Sequence, residues 1–145
     1  MVILTKSILI LEDDLAVLSK LLKSLSVLEG EQPYSLSVIV ITNYRQVEEL
    51  INKNSDFYFD IILLDRDCKL GGSFHVFDIE KFGADKVVSI SSVPEYNEDA
   101  KKRGVKKVIL KDLSKPDEFV EAVVKEVEER LQSMSLVNSL KNNSI

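Results

Sequence analysis

The sequence predicts an α/β domain with a parallel five-stranded sheet and helices on both faces. Two observations predict it. Five short apolar runs, Ser7–Leu11, Ser37–Ile41, Ile61–Leu64, Lys86–Ser92 and Lys107–Leu110, alternate with stretches of helical spacing. The central runs are also continuous rather than alternating, as in Ile61-Ile62-Leu63-Leu64, which is the pattern of strands buried on both sides.

Each element has its own signals. Leu15, Leu18, Leu22 and Leu25 recur three and four residues apart after the first run, with Lys20 and Lys23 between them, and read as an amphipathic helix. Gly30 and Pro33 are expected to end it. Thr42 or Asn43 can cap a second helix carrying Val47, Leu50 and Ile51. A short third helix is expected over roughly Phe74–Lys81, stopped by Gly83. Pro94 opens a charged helix, Glu95–Arg103, which Gly104 terminates. Ser114 and Pro116 start the last helix, with Phe119, Val120, Val123, Val127 and Leu131 on one face and Glu121, Lys125, Glu128 and Glu129 outside. The expected division is a domain over 1–133 and a polar, frayed tail over 134–145.

Composition narrows the class. The chain has 145 residues and a net charge of −5, which argues against a nucleic-acid partner, since that needs a basic patch. One cysteine and one histidine form neither a disulfide nor a zinc-type cluster. Met1–Leu11 is too short and too interrupted to insert in a membrane, so a cytoplasmic protein is expected.

In a parallel sheet the strand ends share one edge, where open α/β sheets place ligands and chemistry. Glu12 and Asp13 follow the first run, Asp65 the third, Ser91 lies at the end of the fourth, and Lys111 follows the fifth. Carboxylates without soft ligands suit a hard cation, Mg²⁺ above all. A lysine and a hydroxyl beside them suit a phosphoryl group, with Asp65 as nucleophile. The plainer roles for such acids are turn residues and helix caps, a role that fits Asp14 best.

With those residues in place, the chain resembles the receiver domains of two-component response regulators over nearly its whole length. Ile8-Leu9-Ile10-Leu11-Glu12-Asp13-Asp14 is similar to that family's first strand and acidic pair, and Ile61-Ile62-Leu63-Leu64-Asp65 to its acceptor strand. The resemblance implies a flavodoxin-like, doubly wound sheet of strand order 2-1-3-4-5. It implies that Asp65 accepts the phosphoryl group and that Glu12, Asp13, Asp65 and the backbone carbonyl of Asp67 hold Mg²⁺. Ser91 falls at the family's switch hydroxyl and Lys111 at its phosphate-binding lysine. The implied function is a stand-alone receiver in phosphorelay signalling. It would be phosphorylated by a histidine kinase or phosphotransfer protein, would act on a downstream protein, and would not be an enzyme beyond slow autodephosphorylation.

The sequence also departs from the family. No proline follows the acceptor, where Cys68-Lys69-Leu70 runs into Gly71-Gly72, and the short span from Asp65 to Ser91 trims the third helix. Val108 stands where the family has an aromatic, and Asp112 where it has a proline. Two alternatives follow: a degenerate receiver that binds proteins without phosphorylation, and a haloacid-dehalogenase-like phosphatase using Asp65 and Asp67. The second puts the nucleophile on the first strand, whereas here the acids of the first run precede it. Cys68 reads as an incidental loop thiol and His75 as a helix-start or packing residue.

Overall fold

A computed structural model describes residues 4–66 and 73–143, with side chains as far as Met134. Five parallel strands form one sheet in the order β2-β1-β3-β4-β5: β1 Leu4–Leu11, β2 Tyr34–Ile41, β3 Ile61–Leu64, β4 Val87–Ser89 and β5 Lys107–Val108. This is the expected flavodoxin-like architecture. β1 lies in the middle, with Ile8–Leu11 facing Val38–Ile41 on one side and Ile61–Leu64 on the other. Having neighbours on both edges and helices on both faces explains why β1 and β3 need unbroken apolar runs.

Alternate side chains of those runs serve two cores. Ile8, Ile10, Ile61, Leu63, Val88 and Ile90 pack under α1 (Leu15–Glu31) and α5 (Pro116–Asn143). Leu9, Leu11, Ile62, Leu64 and Val87 pack on the opposite side, under α2 (Tyr44–Gln46), α3 (Ile79–Phe82) and α4 (Pro94–Lys102).

On the first face the helices are long. α1 buries Val17, Leu18, Leu21, Leu25 and Leu28, whereas Leu15 and Leu22 are exposed. The leucine stripe expected from sequence is thus rotated, because the 3-4-3 spacing from Leu18 through Leu28 fixes the buried face. Asp14 caps this helix, its carboxylate accepting from the N–H groups of Ala16 (3.0 Å) and Val17 (3.2 Å). Gly30 lies inside α1 rather than ending it, and Gln32 is the C-cap. The last helix continues to Asn143, where a polar tail from Met134 was expected. No Gly or Pro follows Pro116 to interrupt it, and a formed helix adds one bond per residue as it propagates.

On the second face the helices are fragments. α2 passes into a π-helical turn, Val47–Asn52, where the Lys53 N–H bonds to the Glu48 carbonyl at 3.3 Å. This turn buries Val47 and Ile51 but leaves Leu50 exposed, contrary to the helical stripe expected. The single helix expected over Phe74–Lys81 is instead a 3₁₀ turn, Phe74–Val76, followed by α3. Ser73 and Asp78 are the reason, each capping a new start by accepting from the N–H of His75 and Lys81 respectively. His75 is exposed within the 3₁₀ turn. Rings fill what short helices cannot: Phe59, Phe77 and Phe82 meet with centroids 5.3–5.8 Å apart. Gly83 (φ 101°) and Gly104 (φ 97°) end their segments in a backbone region that disfavours side chains, as their positions in the sequence led one to expect.

Candidate functional site

The edge at the carboxyl ends of β1, β3 and β5 gathers Glu12, Asp13, Asp65 and Lys111. The Glu12 N–H reaches across to the Ile41 carbonyl (3.3 Å) and the Asp65 N–H to the Leu11 carbonyl (2.9 Å), continuing the ladders for one more residue. The Lys111 N–H bonds to the Ser91 carbonyl at 3.1 Å. Strand geometry alone thus delivers these three side chains to one place.

Glu12 and Asp65 are both 0% exposed and Lys111 is 6% exposed, which is rare for charged residues unless they are paired. They are paired. The Lys111 ammonium donates to Asp65 Oδ2 (2.5 Å) and to Glu12 Oε2 (3.0 Å) and Oε1 (3.2 Å). Glu12 Oε1 also accepts from the Asp14 N–H at 3.0 Å. Among the described residues one cation faces two carboxylates, and the buried trio favours retention of a proton. The Asp65 carboxyl is pushed up to about 8, first by burial and then by the charge of Glu12, against the pull of Lys111. For Lys111, burial works against the charge, but Asp65 and then Glu12 outweigh it and hold the ammonium above its ordinary range.

Asp13, half-buried, completes a cluster in which one oxygen each from Glu12, Asp13 and Asp65 lies within 4.8 Å of the others. Three hard oxygen donors at that spacing, one of them only half-buried, fit a divalent cation that keeps some of its water. The carbonyl of Asp67, expected to contribute, lies outside the described residues.

Ser91 is fully buried just past β4 and accepts from the Val93 N–H at 3.1 Å. A residue that the sequence reading missed holds it there. Asn97 of α4 is buried, and its Oδ1 accepts from Ser89 Oγ (2.7 Å) and from the Ser91 N–H (3.4 Å). Its Nδ2 donates to the Ser91 carbonyl at 3.2 Å. One asparagine among charged helix residues gives no signal in the sequence. Arg66 was also passed over. Its guanidinium pairs with Asp99 and lies 4.9 Å from the centre of the Tyr96 ring, both on α4. Its place between two aspartates was the available signal.

No protein-family model matches the chain, and no curated protein does. Solved structures do. The bacteriophytochrome response regulator RtBRR superposes with a TM-score of 0.57 at 23% identity, covering 84% of this chain and 77% of that one. AtBRR, a second bacteriophytochrome response regulator, gives 0.52 at 15% identity over 81% of this chain and 93% of its own. A fusion bearing part of the yeast Spc42 trimeric coiled coil gives 0.61 at 18% identity, covering 99% of this chain and 86% of the other. The fold is therefore that of a response-regulator receiver. Among the described residues no helix is long and apolar enough to cross a membrane.

Proposed function

We propose that the protein is a receiver that accepts a phosphoryl group on Asp65 in an Mg²⁺-dependent reaction, donated by a histidine kinase or phosphotransfer protein. The observation that carries this reading is the buried trio of Asp65, Glu12 and Lys111 at the sheet edge. Buried carboxylates that touch a lysine are a costly arrangement for stability alone, and an apolar filling would serve the fold as well.

In the proposed step an Asp65 oxygen attacks phosphorus, and the carboxyl gives up the proton that burial favours on it. The new P–O bond forms as the donor's P–N bond breaks, and the electron pair leaves with the imidazole nitrogen, which then takes up a proton. Lys111, which donates to Asp65 Oδ2, would meet the phosphoryl oxygens as a point charge. Glu12, Asp13 and Asp65 would hold the Mg²⁺, which supplies charge neutralisation between the acids and the phosphoryl oxygens. The outcome is a phosphoprotein whose surface a downstream protein reads. The chemistry is that of a phosphoacceptor rather than a turnover enzyme.

Intact-mass measurement after incubation with acetyl phosphate tests the reading. One added phosphate is expected with Mg²⁺, none with a chelator, and none on Asp65→Asn. Wild type that gains no phosphate would leave a binding module without phosphorylation as the better account.

A further inference from the structure

Arg66 follows Asp65 directly, with Cα atoms about 3.8 Å apart across the trans peptide. Its backbone is anchored, the carbonyl accepting from the Phe74 N–H (3.2 Å) and from Ser73 Oγ (2.5 Å). Its side chain holds α4 instead, through the Asp99 carboxylate and the Tyr96 ring face. The side chain is only 24% exposed, and its Nε is buried with no hydrogen-bond partner among the described residues. A guanidinium carries five donors in a rigid fork, so this residue has capacity beyond what α4 uses. Its carboxylate partner is the looser member, with Asp99 46% exposed.

We infer that Arg66 is a second cationic ligand for the phosphoryl group on Asp65, and that α4 is loosened when Arg66 turns to it. The inference rests on the reading of Asp65 as phosphoacceptor. A phosphoryl group brings up to about two negative charges and three strong acceptor oxygens next to a residue suited to bidentate binding. A half-exposed carboxylate is a weak competitor, because solvent screens it. The backbone anchor lets the side chain change partners without moving β3. At the other end of the link, α4 loses the Asp99 pair and the Tyr96 contact while Asn97 still ties it to Ser91. α4 would therefore loosen while staying attached through Asn97 and, at its C-terminal end, through the Arg103 bonds to Phe77 and Glu80. Val108 offers no ring to report the site's state, and the Arg66 link gives the site a different route to the surface.

The test is hydrogen exchange across residues 94–102 in the full chain, before and after acetyl phosphate with Mg²⁺. Values are normalised to the phosphorylated fraction found by intact mass. Phosphorylation of wild type is expected to raise exchange in this helix about tenfold, a local opening well short of global unfolding. In Arg66→Gln the unphosphorylated helix should already exchange fast, with the phosphate-dependent change reduced to less than about twofold. Should that variant fold poorly, Asp99→Asn leaves the guanidinium intact and is expected to show the same raised baseline with a smaller response. Phosphorylated wild type with unchanged α4 exchange would overturn the inference alone, as would Arg66→Gln responding like wild type. Wild type that takes up no phosphate would overturn both the inference and the reading beneath it.

Discussion

The two faces of the sheet are built differently. One carries α1 and α5, of 17 and 28 residues, packed through regularly spaced apolar stripes. The other carries a π-helical turn, two 3₁₀ turns and helices of three, four and nine residues, with aromatic rings in the gaps. Among the described residues, Asn97 to Ser91 and Arg66 to Asp99 tie the acidic edge to the second face, while Glu12 reaches the first face through the N–H of Asp14, the cap of α1. Short elements with few backbone bonds of their own open at lower free energy than long ones. The fragmented face is therefore the one expected to open first.

Core truncation breaks this comparison most directly. Phe77 is 1% exposed and Leu21 0% exposed, one in each core. Phe77→Ala is expected to cost about 3–5 kcal/mol and Leu21→Ala about 2–5 kcal/mol, by lost burial plus the cavity left behind. Denaturant unfolding should show one transition for both variants. If Phe77→Ala splits it in two, the faces are independent units and the site cannot communicate through the sheet.

The next effect lies at the edge itself. Lys111→Met leaves Glu12 and Asp65 buried together without the Lys111 ammonium. The expected cost is on the order of 3 kcal/mol at pH 9, shrinking toward pH 5 as a proton replaces the lost charge. Stability that is equally reduced at both pH values would mean that the lysine contributes packing rather than charge.

A smaller effect comes from Asp65 alone. Folded, its carboxyl keeps its proton up to about pH 8, whereas unfolded it releases it near pH 4. Between those limits the folded state binds more protons, so this group's contribution to stability falls as pH rises through that window. Without Mg²⁺, Asp65→Asn should therefore lose the slope and exceed wild type by on the order of 2 kcal/mol at pH 9. Parallel melting curves across pH 5–9 would contradict the buried-proton account. Smallest of all is Asp117→Asn, which removes the 2.7 Å pair with Lys20 between α1 and α5. Both partners are well exposed, and less than about 1 kcal/mol is expected by thermal denaturation.

The same contrast decides how much could be read from the sequence. The strand runs, their parallel order and the stripe of α5 were legible because burial on both faces and a 3.6-residue period each impose a pattern. Glu12, Asp65 and Lys111 were legible because each follows an apolar run directly, and strand ends must meet at one edge. The second face was not legible. Its helices are too short for a period to show, and Ser73 and Asp78 divide what Phe74–Lys81 suggests is one helix. Asn97 and Arg66 depend on contacts with residues distant in the chain, and no spacing rule marks them. In α1 the leucines suggested a stripe that tertiary packing rotated to Leu18, Leu21, Leu25 and Leu28.

The proposed function requires that Asp65 itself carry the phosphoryl group. Borohydride reduces an aspartyl phosphate to homoserine and leaves free carboxylates intact, so the modified position can be read by peptide mass spectrometry. After acetyl phosphate and Mg²⁺, the tryptic peptide Asn54–Arg66 should contain homoserine at position 65, with Asp56 and Asp60 unchanged. Homoserine at any other aspartate, or none in a sample that has gained phosphate, would contradict the account.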